Sequence, residues 1–120
     1  MCSDAGLVAI VDDDDAVSRA LTLGTRSLGY DARTFASGEA LLGAAFEVPP
    51  VLLLLDLHLP GVRSPDLIAQ LRARGFTPRI VVMKGRDSEG AKGSCLAAGA
   101  DAYIRKPLSR ADLSGFLPKV

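Results

Sequence analysis

Five short strand-like runs recur along this chain, most of them apolar and the second with weaker patterning, each separated from the next by enough residues for one helix. No other feature narrows the fold as far. The runs are Leu7 to Val11, Tyr30 to Phe35, Val51 to Leu55, Ile80 to Met83 and Ala102 to Arg105. The unbroken apolarity of the first and third fits strands covered on both faces. Helical patterns lie between them. Val17, Ala20, Leu21 and Leu28 fit one helix face that Gly29 ends. Ser37 is a helix N-cap ahead of Ala40, Leu41 and Leu42, and Pro49-Pro50 stops that helix. Ser64 and Pro65 read as N-cap and first helical residue, with Leu67, Ile68 and Leu71 as the buried stripe and Gly75 as the stop. A fourth helix is expected over Ser88 to Ala98, weakened by Gly90 and Gly93 and closed by Gly99. Ser109 with Asp112 forms a capping-box pattern for a last helix holding Leu113, Phe116 and Leu117, which Pro118 keeps short. Alternating strands and helices with right-handed crossovers make a doubly wound α/β fold around a five-stranded parallel sheet.

Composition agrees and excludes other classes. A chain of 120 residues with 48% hydrophobic content suits one well-buried domain without linker or repeat. No apolar run approaches the roughly 20 residues that span a bilayer. Met1-Cys2-Ser3-Asp4 carries no basic region of a secretory signal, so a soluble, cytoplasmic protein with no membrane partner is expected. Fourteen basic and fourteen acidic residues cancel, which argues against direct nucleic-acid binding by this domain. Cys2, Cys95 and the lone His58 have no metal-ligand spacing, and Cys95 suits a buried thiol.

Ligands of such sheets bind beyond the carboxyl ends of the strands, where the strand order switches. Asp12 and Asp13 follow the first strand, Asp56 the third, Lys84 the fourth and Lys106 the fifth. Three carboxylates and two ammonium groups from distant positions therefore meet at one edge. The acidic run Asp12 to Asp15 would ordinarily be a solvated surface feature, but its place directly after a strand weakens that reading.

Three segments at this edge, Ile10-Val11-Asp12-Asp13-Asp14, Leu55-Asp56-Leu57-His58-Leu59-Pro60-Gly61 and Gly99-Ala100-Asp101-Ala102-Tyr103-Ile104-Arg105-Lys106-Pro107, resemble the diagnostic segments of response-regulator receiver domains (CheY-like). The resemblance runs from about Leu7 to Leu117, and Phe35 to Leu42 further resembles receivers of the FixJ type. It implies a flavodoxin-like (βα)5 sheet in the order 2-1-3-4-5. It also implies a two-component signalling switch, in which a sensor histidine kinase supplies a phosphoryl group to Asp56. Such a domain is no enzyme beyond its own phosphorylation and dephosphorylation. Mg²⁺ is the implied cofactor, held by Asp13 and Asp56, by Asp12 through water, and by the backbone carbonyl of His58. Lys106 would supply a cation to the phosphoryl group, and Lys106-Pro107 is a candidate cis bond. Tyr103 matches the aromatic that changes rotamer on activation. The face from the fourth helix to the fifth strand would meet an output domain or downstream protein, and phosphorylation-dependent dimerisation is a further expectation. Asp14 and Asp15 suit caps of the first helix. The chain stops soon after the fifth helix begins, as a receiver excised from a longer regulator with a C-terminal output domain would.

Lys84 breaks the pattern, since the family has Thr or Ser there, with a hydroxyl that bonds the phosphoryl group. Two placements stay open. If Lys84 reaches the cluster, it leaves a net charge of only −1 from three carboxylates and two ammonium groups. It then competes with Mg²⁺, and Lys84→Thr tightens metal binding. Otherwise Lys84 points to solvent and the hydroxyl is simply missing. Either way Lys84 favours an alternative function, a pseudo-receiver that serves as an interaction module without productive phosphotransfer. A haloacid-dehalogenase-type phosphatase, which needs a second Asp two positions after the first, is disfavoured because His58 stands there.

Overall fold

The computed structural model describes residues 6–44, 46, 48–59, 61, 63–85 and 91–117. Five strands, β1 (Leu7–Val11), β2 (Asp31–Phe35), β3 (Leu52–Asp56), β4 (Arg79–Lys84) and β5 (Ala102–Arg105), alternate with five helices, α1 (Asp15–Ser27), α2 (Gly38–Leu42), α3 (Ser64–Ala73), α4 (Ala91–Ala98) and α5 (Arg110–Phe116). The strands pair in parallel in the order β2-β1-β3-β4-β5, as expected.

The period-2 alternation of the strands divides the core between the two sheet faces. Val8, Ile10, Leu52, Leu54, Val81 and Met83 pack with Leu21, Tyr30 and Leu113, so α1 and α5 cover that side. Ala9, Val11, Leu53, Leu55, Ile80 and Val82 pack with Leu41, Leu67, Ile68, Leu71 and Cys95, so α2, α3 and α4 cover the other. Cys95 is fully buried, and desolvation pushes its thiol pKa up.

Several boundaries move by a residue with consequences for the site. The third strand runs to Asp56 and the fourth to Lys84, so both residues end a strand instead of following one. Tyr30 precedes β2 but is buried. Ala20, expected on the apolar face of α1, is exposed; the helix buries Leu21 together with Ser18 and Thr25. Ser64 is not an N-cap. It is the first residue of α3, capped by Arg63 without a side-chain bond, and its hydroxyl donates instead to the carbonyls of Asp56 and Leu57, at 2.9 and 3.0 Å. Gly29, Gly75 and Gly99 end their helices at positive φ, and the Ser109–Asp112 capping box forms. The expectations for Ser88 to Gly90, Pro118 and Cys2 lie outside the described residues.

The β4 and β5 starts are fastened by a residue the sequence did not single out. Arg72 on α3 donates through Nη1 to the carbonyls of Phe76 and Pro78, through Nε and Nη2 to that of Gly99, and through Nη2 to Asp101 at 3.0 Å. The same Asp101 oxygen accepts the Ile80 N–H at 2.8 Å. Hydrogen bonds to a charged group contribute about 1.5–3 kcal/mol. Arg72 is a quarter exposed, so the lower half of that range applies. Arg72→Ala is expected to cost about 2 kcal/mol, lowering the urea midpoint by about 1 M at unchanged slope. A midpoint equal to the wild type would show that water replaces the guanidinium at no cost.

Candidate functional site

The carboxyl ends of β1, β3 and β5 bring together the residues that the sequence placed at one edge. Asp12 follows β1 and is 3% exposed; Asp56 ends β3 and is 4% exposed. Burial of two carboxylates side by side is costly unless a cation accompanies them. Lys106, just past β5, supplies it, with Nζ 2.7 Å from Asp12 Oδ2 and 3.1 Å from Asp56 Oδ1. The Lys106 backbone is fixed by its N–H bond to the Lys84 carbonyl at 2.8 Å. The Lys106-Pro107 bond is cis, as anticipated.

Local backbone bonds orient both acids. Asp12 Oδ1 accepts the Asp14 N–H at 2.9 Å, and Asp56 Oδ1 accepts the His58 N–H at 3.3 Å. Asp14 in turn caps α1 by accepting from the Ala16 and Val17 N–H groups, with Asp15 in the first turn. His58 is exposed, and its side chain takes no part in the acidic group.

Asp13 completes the acidic group. Ligand oxygens of Asp12, Asp13 and Asp56 all lie within 4.8 Å of one another. Asp13 is exposed and makes no bond to a described residue. Asp12 Oδ2 is buried and is held by the Lys106 ammonium at 2.7 Å. Three carboxylates against one ammonium leave two negative charges and a third acid held open. A hard divalent cation with oxygen ligands and retained waters fits that set.

The electrostatics follow. Burial raises the Asp56 pKa above its ordinary value, and the Asp12 charge adds to the rise against the opposing pull of Lys106. Burial alone would lower the Lys106 pKa, but its bonds to Asp12 and Asp56 and their charges outweigh that and raise it. Lys106 is therefore charged at neutral pH.

Lys84 adopts neither placement left open by the sequence. Its Nζ lies over the Tyr103 ring, 5.5 Å from the centroid, and it pairs with no described carboxylate. The alternation of β4 explains this: Lys84 shares the face of Ile80 and Val82, against which Tyr103 packs. The cluster thus keeps a net charge of −2, where a Lys84 ammonium would have halved it. Lys84→Thr is accordingly expected to leave the Mg²⁺ affinity within about threefold of the wild type, since a cation–π contact involves no carboxylate. Isothermal titration at fixed ionic strength checks this; a tenfold gain would put the ammonium back beside the acids.

Sequence reasoning missed Ser64, whose hydroxyl anchors the backbone on which Asp56 sits. Its Ser-Pro context signals a helix cap, and no local pattern reveals a partner eight residues earlier.

The whole chain can be set beside known proteins on this basis. A family model described as the response regulator receiver domain matches residues 8–117. The transcriptional regulatory protein KdpE of Mycobacterium tuberculosis is 37% identical over 101 residues, covering 84% of this chain and 44% of that protein. Among solved structures, a response regulator from Chloroflexus aurantiacus is 31% identical with a TM-score of 0.81, covering 93% of each chain. The structure titled FixJ-N is 25% identical with a TM-score of 0.82, covering 92% of this chain and 89% of that one. The chain spans about half the length of the curated relatives it matches. With sheet order, buried acid pair and family model in agreement over nearly every residue, the chain belongs to the response regulator receiver domain family.

Proposed function

We propose that this chain is a phosphorylation switch that takes a phosphoryl group on Asp56 from the phosphohistidine of a sensor histidine kinase. The observation that carries the reading is a buried Asp56 flanked by two further carboxylates, with the Lys106 ammonium 3.1 Å from its Oδ1. An Asp56 oxygen forms the new bond to phosphorus while the donor's phosphorus–nitrogen bond breaks, its electron pair returning to the imidazole. Lys106 stays charged throughout and stabilises the phosphoryl oxygens. Asp12, Asp13 and Asp56, with the His58 carbonyl, would hold Mg²⁺, which when bound offsets negative charge on the carboxylates and the incoming group. Ser64 and the His58 N–H hold the Asp56 backbone and carboxylate in place for the attack.

The signal would leave through the α4–β5 face toward an output domain or downstream protein, with phosphorylation-dependent pairing of two copies as one form of output. Relatives titled as transcriptional regulators support a DNA-binding output in the same polypeptide, acting in the cytoplasm. No helix of the described residues is long and apolar enough to cross a membrane.

Lys84 supports a second reading, an interaction module without productive phosphotransfer, because position 84 carries no hydroxyl. Wild-type protein incubated with acetyl phosphate and Mg²⁺ separates the two. Gain of one phosphoryl mass supports the switch. No gain at any Mg²⁺ concentration supports the module.

A further inference from the structure

An apolar cleft of about 250 Å³ opens between the ends of α2 and α3. It exists because α2 stops after five residues, capped by Gly43, so the last turn of α3 faces a loop where a longer helix would have packed. Leu41, Phe46, Leu71 and Phe76 line it, together with Pro50 and Pro78. Both prolines are buried and stand just before β3 and β4, whereas Asp56 ends β3. The cleft and the acidic group therefore occupy opposite ends of the parallel sheet. No carboxylate of the described residues lines the cleft, and Arg74 is its one charged residue among them. Arg74 caps the end of α3, and its Nη1 donates to the Leu42 carbonyl at the end of α2, 3.2 Å away. That bond holds the guanidinium at the rim. Nε and Nη2 have no partner among the described residues, and this edge of the fork can take a carboxylate through two parallel bonds. A second guanidinium, that of Arg33, sits 5.3 Å from the centroid of the Phe46 ring and adds positive potential beside the same wall.

We propose that this cleft binds a small apolar monocarboxylic acid, with its hydrocarbon part among Leu41, Phe46, Leu71 and Phe76 and its carboxylate on Arg74. The volume falls below the roughly 300 Å³ at which pockets for drug-sized ligands begin, so a single ring or a short chain fills it. Apolar burial supplies most of the affinity. The guanidinium selects the anion, since one planar fork matches one carboxylate. A phosphomonoester suits the site poorly: it brings a second charge and a tight hydration shell to an apolar wall that no second cation lines. The site shares no residue with the acidic group at the other end of the sheet and stands whether or not Asp56 is the phosphoacceptor.

The probe is 3-phenylpropanoate, titrated into the full chain and followed through the methyl signals of Leu41 and Leu71 by NMR. Both signals should shift and saturate below about 10 mM, while acetate, which lacks the apolar part, should leave them in place at the same concentration. The neutral 3-phenylpropanamide should bind about fivefold more weakly than the acid, and Arg74→Gln should weaken the acid by the same factor, the upper end for an exposed ion pair. In about 1 M salt the preference for acid over amide should vanish, because an exposed pair is screened. Ala44→Leu, which fills the cleft with an apolar side chain and is checked as folded by its thermal melt, should abolish the shifts. No methyl shift in wild type up to about 10 mM, an amide that binds as tightly as the acid at low salt, or shifts that persist in Ala44→Leu overturns the site.

Discussion

Asp56→Asn is expected to take up no phosphoryl group from acetyl phosphate and, without Mg²⁺, to melt a few degrees above the wild type at pH 7. Loss of uptake follows from chemistry, because an amide is no nucleophile toward phosphorus. The gain in stability follows from electrostatics. Burial disfavours the ionised form of Asp56, the Asp12 charge adds to this, and Lys106 only partly compensates. The folded pKa therefore lies above the unfolded value. A carboxyl so shifted binds its proton more tightly in the native state, so this group's contribution to stability grows as pH falls through the folded pKa and is smallest at neutral pH. Asparagine keeps the shape of the neutral acid and removes the penalty, while Lys106 retains Asp12 at 2.7 Å. The sign should reverse in saturating Mg²⁺, where the wild type gains binding energy that the variant, one charged ligand short, cannot match. Intact mass and thermal melts with and without Mg²⁺ read both effects. Phosphoryl uptake that persists in Asp56→Asn moves the phosphoacceptor elsewhere. A lower melting point without metal would mean that the Lys106 pair outweighs desolvation.

What could be read from the sequence was whatever is encoded within a few residues. The five strand-like runs, the glycines at 29, 75 and 99 and the Ser109–Asp112 box are local signals, and each fell within a residue or so of its element's edge. The edge that carries Asp12, Asp13, Asp56 and Lys106 followed from topology, because parallel strands place all their carboxyl ends on one side. Direction within that edge did not. Lys84 turns toward Tyr103 because of strand alternation, and a lysine stem is long enough to mask that choice until its neighbours are known. The Arg72 bonds to Gly99 and Asp101 span 27 to 29 positions, and the Ser64 bond to Asp56 spans eight. Such contacts depend on how helices settle against the sheet, which no window of sequence encodes. Ala20 shows the same limit: its apolar spacing fits the buried stripe of α1, yet Ser18 and Thr25 occupy the inward positions.

Asp13→Ala is expected to weaken Mg²⁺ binding by at least about a hundredfold while leaving the fold unchanged. Removing groups that merely orient a ligand costs 10–100-fold in metal affinity, so loss of a ligating carboxylate should reach or exceed that range. The three acids differ in what else their removal disturbs. Asp12 accepts the Asp14 N–H and holds Lys106, so Asp12→Ala would loosen the start of α1 and leave a partly buried ammonium with one partner. Asp56 is the proposed phosphoacceptor. Asp13 is exposed and bonds to no described residue, so its side chain has only its charge and its oxygens to offer a metal. A surface substitution of that kind shifts stability by no more than about 0.5 kcal/mol. Removing one negative charge from a cluster of −2 should, if anything, relieve repulsion in the metal-free protein. Titration calorimetry gives the affinity, and urea unfolding without metal gives the stability. Mg²⁺ affinity within threefold of the wild type, with the fold intact, would place the cation away from Asp13. A stability loss above about 1 kcal/mol would show that Asp13 supports the loop after β1, beyond any part in metal binding.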